Sequence, residues 1–99
     1  MKKHKVSLSE EISIFTIASI WEKFIKVLEK FEKKDTLILD CEKLEAIDGA
    51  GIQLLLSLEK TILKESYKIK YINYSENIKD IFEKVGVSYL LVTEGDINE

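Results

Sequence analysis

Leu39-Asp40-Cys41-Glu42-Lys43-Leu44-Glu45-Ala46-Ile47-Asp48-Gly49-Ala50-Gly51-Ile52-Gln53-Leu54-Leu55-Leu56 contains the transition on which the fold turns. It begins inside a short, continuously apolar run, Thr36-Leu37-Ile38-Leu39-Asp40. Such a run suits an interior strand covered on both faces, or one paired in parallel. A seven-residue connection follows, anchored by Leu44 and Ile47. Asp48-Gly49-Ala50-Gly51 then opens a helix. Asp48 is a natural N-cap for the amides of the next turn. Gly49 and Gly51 permit a tight turn and close packing of the helix start. The expected result is an exposed helix N-terminus at the end of a central strand, where free amides and partial positive charge collect.

Toward the N-terminus, Lys5 to Phe15 reads as two short strands in a hairpin turning at Ser9-Glu10. Val6 and Leu8 alternate with polar residues before the turn, as do Ile12 and Ile14 after it. Thr16 is placed to cap a helix whose Ile17, Ile20, Trp21, Phe24, Val27, Leu28 and Phe31 share one half of the wheel. Toward the C-terminus, the second helix runs from about Gly49 to Lys64. Its apolar residues, Ile52, Leu54, Leu55, Leu56, Leu58, Ile62 and Leu63, spread over about 200° of the wheel, wider than a surface helix needs. Glu59 falls inside that arc. The arc reads equally as a docking face or as a deep core helix.

Ile69 to Asn73 reads as a strand, and Ser75 caps a third helix that stops at Gly86. Val87 to Val92 is a short helix or an edge strand. The tail from Thr93 is acidic and expected to fray. The predicted class is therefore α/β, with one mixed sheet of four to five strands and helices packed on it. A single domain fills residues 1–99, with its core over about 5–92.

Composition narrows the function. No apolar run approaches a membrane span, and the basic N-terminus carries no apolar signal segment, so a cytoplasmic protein without membrane insertion is expected. The single cysteine, Cys41, agrees with a reducing compartment. All 15 basic residues are lysine and the net charge is -3, both of which count against nucleic acid. The absence of arginine also fits a lysine-, isoleucine- and asparagine-rich codon bias, so that point is supportive only.

The strand-end Asp40, the Asp48-to-Gly51 turn and the apolar helix from Ile52 to Leu56 resemble the STAS family of anti-sigma factor antagonists and anion-transporter tails. The resemblance extends from the opening strands to about Val92 and implies a STAS-like fold. In regulated members the turn reads Asp-Ser-Ser-Gly or Asp-Ser-Thr-Gly, and a partner kinase phosphorylates a hydroxyl there. Here Gly49 and Ala50 fill the two middle positions and neither offers an oxygen, so no phosphorylation is expected at that position. A subgroup with Asp-Thr-Ala-Gly, including small subunits of phospholipid-transport ABC complexes, is closer to Ala50, Gly51, Gln53 and the leucine run.

The resemblance thus implies a non-catalytic regulatory protein-binding module. Its contact surface would comprise Asp48, Gly49, Ala50, Gly51, Ile52, Gln53 and Leu54. The partner would be an anti-sigma factor or serine-kinase-like protein. Alternatives are the ATPase of an ABC-type phospholipid transporter, or a chemotaxis or signalling scaffold; a homodimer stays open. No cofactor and no metal site is expected. His4 stands alone near a terminus, so no metal site or histidine-based pair can be built on it. Cys41 reads as a small buried hydrophobe. Asp40 and Asp48 end a strand and cap a helix, which leaves no acid–base pair. Ser57 and Thr61 lie on the polar side of the second helix as plain surface hydroxyls.

Overall fold

A computed structural model describes residues 1–92. Its centre is β3 (Thr36–Asp40), the apolar run of the sequence. β1 (Lys3–Ser7) pairs with it on one side and β5 (Lys68–Ile72) on the other, both in parallel. The register is Lys5↔Ile38↔Lys70 and Val6↔Leu39↔Tyr71 across the three strands. β2 (Glu11–Ile12) and β4 (Ala46–Ile47) form a second, two-stranded parallel sheet. Parallel neighbours need crossovers, and the helices α1 (Ile17–Leu28), α2 (Gly49–Lys64) and α3 (Glu76–Lys84) run between or after the strands. The α/β class holds.

Two details differ from the sequence reading. The opening segment is not a hairpin: β1 and β2 belong to different sheets and do not pair. Leu8 N donates to Asp40 O, and Glu10 O accepts from Glu45 N and Ala46 N, so both strands take partners some 30 residues away. The strands are accordingly divided between two parallel sheets rather than joined in one mixed sheet. Of the two alternatives for Val87 to Val92, the short helix is the one formed, as a 3₁₀ helix over Ser88–Leu91. The acidic tail from Thr93 lies outside the described residues.

The strand period of two sorts the residues by face. Val6, Leu37, Leu39 and Tyr71 join one core with Ile20 and Phe24 of α1, Leu55, Leu58 and Ile62 of α2, and Ile78 and Phe82 of α3. Ile38 is buried but stands outside this core, on the sheet's other face between Lys5 and Lys70. Within α2 the buried residues are Gly51, Ile52, Leu55, Leu58 and Ile62, a stripe at helical spacing. Leu54 and Leu56 pack at its margins, and Leu63 is exposed. The wide apolar arc is thus mostly core. Glu59 is half-buried, and desolvation raises its pKa.

An aspartate ties down each end of β3. Asp35 accepts from Lys2 N at 2.8 Å, from Glu32 N at 3.1 Å and faces His4 Nε2 at 2.9 Å. His4 is therefore not alone. It stacks on Phe31 with ring centroids 4.1 Å apart, a contact invisible in the sequence pattern. Asp40 accepts from Asn73 Nδ2 and Glu42 N, each at 3.1 Å, with Lys5 Nζ at 3.7 Å from its other oxygen. It joins the ends of the strands rather than only terminating one.

Candidate functional site

The site begins with the cap. Asp48 has the extended backbone of an N-cap, and its Oδ1 accepts from Gly51 N at 2.9 Å. Its other oxygen accepts from Ile14 N at 3.1 Å, in the loop between β2 and α1. One carboxylate therefore starts α2 and secures a second loop beside it. The Gly51 amide, then the Ile14 amide, hold its pKa below the ordinary aspartate value. The charge stays on the surface, since Asp48 is exposed.

The two short strands explain why these loops meet. Pairing of Ile12 with Ile47, with Asp48 N donating to Ile12 O at 3.2 Å, sets the β2 end directly against the turn. Gly51 makes the approach possible. A Cβ there would collide with Ile12 O and lie 2.7 Å from Ile47 Cγ1. Gly49 has no such duty: a Cβ on it meets nothing within 4 Å. The close packing that the two glycines permit is used at Gly51 alone.

After Ile12 the chain makes a tight turn, with Thr16 N and Ile17 N both donating to Ser13 O at 2.9 Å. Thr16 occupies the N-cap position of α1, yet its hydroxyl caps nothing in that helix. It accepts from Ser13 N at 2.9 Å and holds the preceding turn instead. Ser13 Oγ donates to the Glu11 carboxylate, closing the loop on itself. This leaves two large apolar side chains in solvent: Ile14 is 66% exposed and Phe15 90%. Alternation predicts a strand through Ile14 and assigns Phe15 no role, but β2 ends at Ile12. Only the two-residue length of β2 brings them out, and no local pattern announces that length.

Of the expected contact residues, Asp48, Gly49 and Gln53 are exposed, and Ala50 and Leu54 are half-buried. Gly51 and Ile52 are buried under the turn. The assembled surface is therefore the Asp48 turn and the first outward residues of α2, flanked by Ile14 and Phe15. Glu10, Glu11 and Glu45, all exposed, border it on the β2–β4 side. No group of histidine, cysteine and acidic residues among the described residues could hold a metal. Cys41 is buried, and desolvation followed by the neighbouring Asp40 charge pushes its pKa up to about 12, which makes it a poor nucleophile. No described helix is long and apolar enough to cross a membrane.

Comparison with known proteins places this geometry. The family described as STAS domain matches residues 4–99. No curated protein matches the chain. Among solved structures, the anti-sigma factor antagonist SpoIIAA in its unphosphorylated form superposes with a TM-score of 0.72 at 18% identity, covering 98% of this chain and 92% of that one. A sulfate transporter family protein from Wolinella succinogenes gives 0.75 at 17% identity, covering 91% of this chain and 71% of that one.

Proposed function

The chain belongs to the STAS domain family, and on that premise we propose that it is a non-catalytic regulatory module that binds a protein partner through the Asp48 turn. The surface comprises Asp48, Gly49, Ala50, Gln53 and Leu54, extended by Ile14 and Phe15, with Gly51 and Ile52 supporting it from below. The observation that carries this reading is Phe15. A phenylalanine 90% in solvent adds no burial to the isolated domain and offers it to a partner, and it stands on a loop fixed to the turn by the Asp48 carboxylate. The preferred partner is an anti-sigma factor or serine-kinase-like protein of the cytoplasm. Because Gly49 and Ala50 carry no hydroxyl, binding stays constitutive: no phosphate arrives at this turn to disrupt an apolar contact.

A photo-crosslinking amino acid at position 15, with position 83 on α3 as control, tests the reading in cells. A single adduct at 15, identified as a kinase-type ATPase, is the expected result. With that protein and ATP the chain stays unphosphorylated, whereas Gly49→Ser accepts phosphate on the new hydroxyl. No adduct at 15, or phosphate on residues flanking the native turn, would overturn the proposal. Recovery of a transporter ATPase instead would favour the second reading, a transport-complex subunit.

A further inference from the structure

Lysine is absent from the segments that build the Asp48 surface. Residues 9–17 and 44–57 form β2, β4, the adjoining loops and the first half of α2. They contain four carboxylates, Glu10, Glu11, Glu45 and Asp48, and no basic residue. The remaining segments hold all 15 lysines, nearly balanced by acidic residues. On α3, for comparison, Glu76, Asp80 and Glu83 are interleaved with Lys79 and Lys84, and Lys84 Nζ lies 3.3 Å from Asp80 Oδ2. Among the described residues no lysine pairs with any of the four carboxylates. Lys23, which shares a groove with Phe15, donates to Ser7 O at 3.4 Å instead.

Two of the four are set side by side by the backbone. The pairing of Glu11 with Ala46 continues backward by one residue to Glu10 and Glu45, where Glu45 N donates to Glu10 O at 2.8 Å. Both residues are exposed. The Glu11 carboxylate takes the Ser13 hydroxyl and the Asp48 carboxylate takes two amides, so these two serve the chain itself. Among the described residues the Glu10 and Glu45 side chains make no such bond. Like charges on neighbouring strands repel, and a lysine at either position would turn that repulsion into attraction.

Beside this uncompensated pair stand the exposed Ile14 and Phe15. An excess of one charge around an exposed aromatic selects which surfaces can approach. A second copy of the chain brings the same carboxylates. The chain's own last residues include Glu94, Asp96 and Glu99, of the same sign again. We infer that the partner meets this surface with an apolar pocket for Phe15, rimmed by lysine or arginine on the Glu10–Glu45 side. The inference rests on the docking proposed for the Asp48 turn and adds to it the chemistry of the partner. Binding then relieves the repulsion between Glu10 and Glu45, and opposite charge steers the encounter.

Glu45→Lys tests this, because it sets opposite charges side by side in the unbound chain. Its urea midpoint should rise above that of the native chain. The yield of the photo-crosslinked adduct at position 15 should nevertheless fall roughly tenfold. Glu83→Lys on α3 should leave that yield unchanged. An NMR titration of the labelled native chain with a short amphipathic peptide of leucine and lysine adds a defined probe. Saturable shifts at the amides of Glu10, Phe15, Glu45 and Gln53 are expected, weakening steeply with salt, and none with the leucine–glutamate counterpart. An adduct at 15 that Glu45→Lys leaves at native yield overturns the inference while the docking reading stands. No adduct at 15 in the native chain overturns both. Shifts as large on α3 as around Phe15 overturn the inference, since charge alone would then explain them. A lowered urea midpoint for Glu45→Lys does so too, because Glu45 would then have a partner within the chain.

Discussion

Gly51 and Gly49 look alike in the sequence, and only the surroundings separate them. Gly51→Ala drives a methyl against Ile12 O and Ile47 Cγ1. Backbone is a poor yielding partner, so the variant should lose about 1–3 kcal/mol in denaturant unfolding, as overpacked cores do. Gly49→Ser, facing open space, should stay within about 0.5 kcal/mol of the native chain in the same assay. Position 49 therefore lacks a hydroxyl for reasons other than space. Cys41 makes a third residue-level case. Its burial and its neighbour Asp40 hold the thiol protonated at neutral pH. A maleimide reagent at pH 7 should label the native protein far more slowly than the urea-unfolded chain, with no separate fast phase. The sequence indicated that Cys41 is buried, from its place after an apolar strand, but nothing local distinguishes one glycine from the other.

Among the elements, α2 was legible to the residue. Its cap at Asp48, its end at Lys64 and its apolar stripe all follow from local chemistry. What the wheel could not say is which leucines are covered. Leu58 is fully buried, and Leu54 lies half-exposed at the margin near Asp48. Leu58→Ala should cost about 2–5 kcal/mol in thermal or denaturant unfolding, as buried leucines do. Phe15→Ser should leave stability within about 0.5 kcal/mol and abolish partner crosslinking from a photo-reactive residue placed at the exposed position 53. The pair of variants separates core from contact surface. The opening strands were misread for an equally physical reason. Alternation and a polar turn between Leu8 and Glu11 are what a hairpin shows, but pairing is decided by partners distant in sequence. Asp40 and Glu45 take up the hydrogen bonds that a hairpin would have used internally. The same long-range pairing exposes Ile14 and Phe15, so the site was legible at Asp48 and hidden one loop away.

For the whole molecule, the decisive arrangement is the pair of aspartates at the two ends of β3. Asp35, its side chain only 1% exposed, receives the Lys2 amide, His4 and the Glu32 amide, while Lys68 N donates to its backbone carbonyl. It thereby joins the start of β1, the loop after α1 and the start of β5. Asp40 does the same at the far end through Asn73, Glu42 and Lys5. The pKa of Asp35 is held well below its ordinary value, chiefly by the Lys2 amide and then by His4. That of Asp40 is lowered chiefly by the Asn73 side chain. A carboxylate whose pKa is lower folded than unfolded releases its proton more readily in the native state. Its contribution is complete well above the ordinary aspartate value of 3.8 and is lost as pH falls below it toward the folded value. Global stability should therefore be level near neutrality and fall progressively from about pH 5 downward. Asp35→Asn should be less stable at pH 7, because the buried carboxylate and its charge-assisted bonds are gone, yet its stability should fall less between pH 5 and pH 3. Urea midpoints measured for both proteins across that range check the sign. Parallel curves would mean that Asp35 titrates alike in the folded and unfolded chain, and the acid response would then belong to the other carboxylates. Convergence of the two curves toward acid would establish that the sheet is held at its N-terminal edge by one buried negative charge.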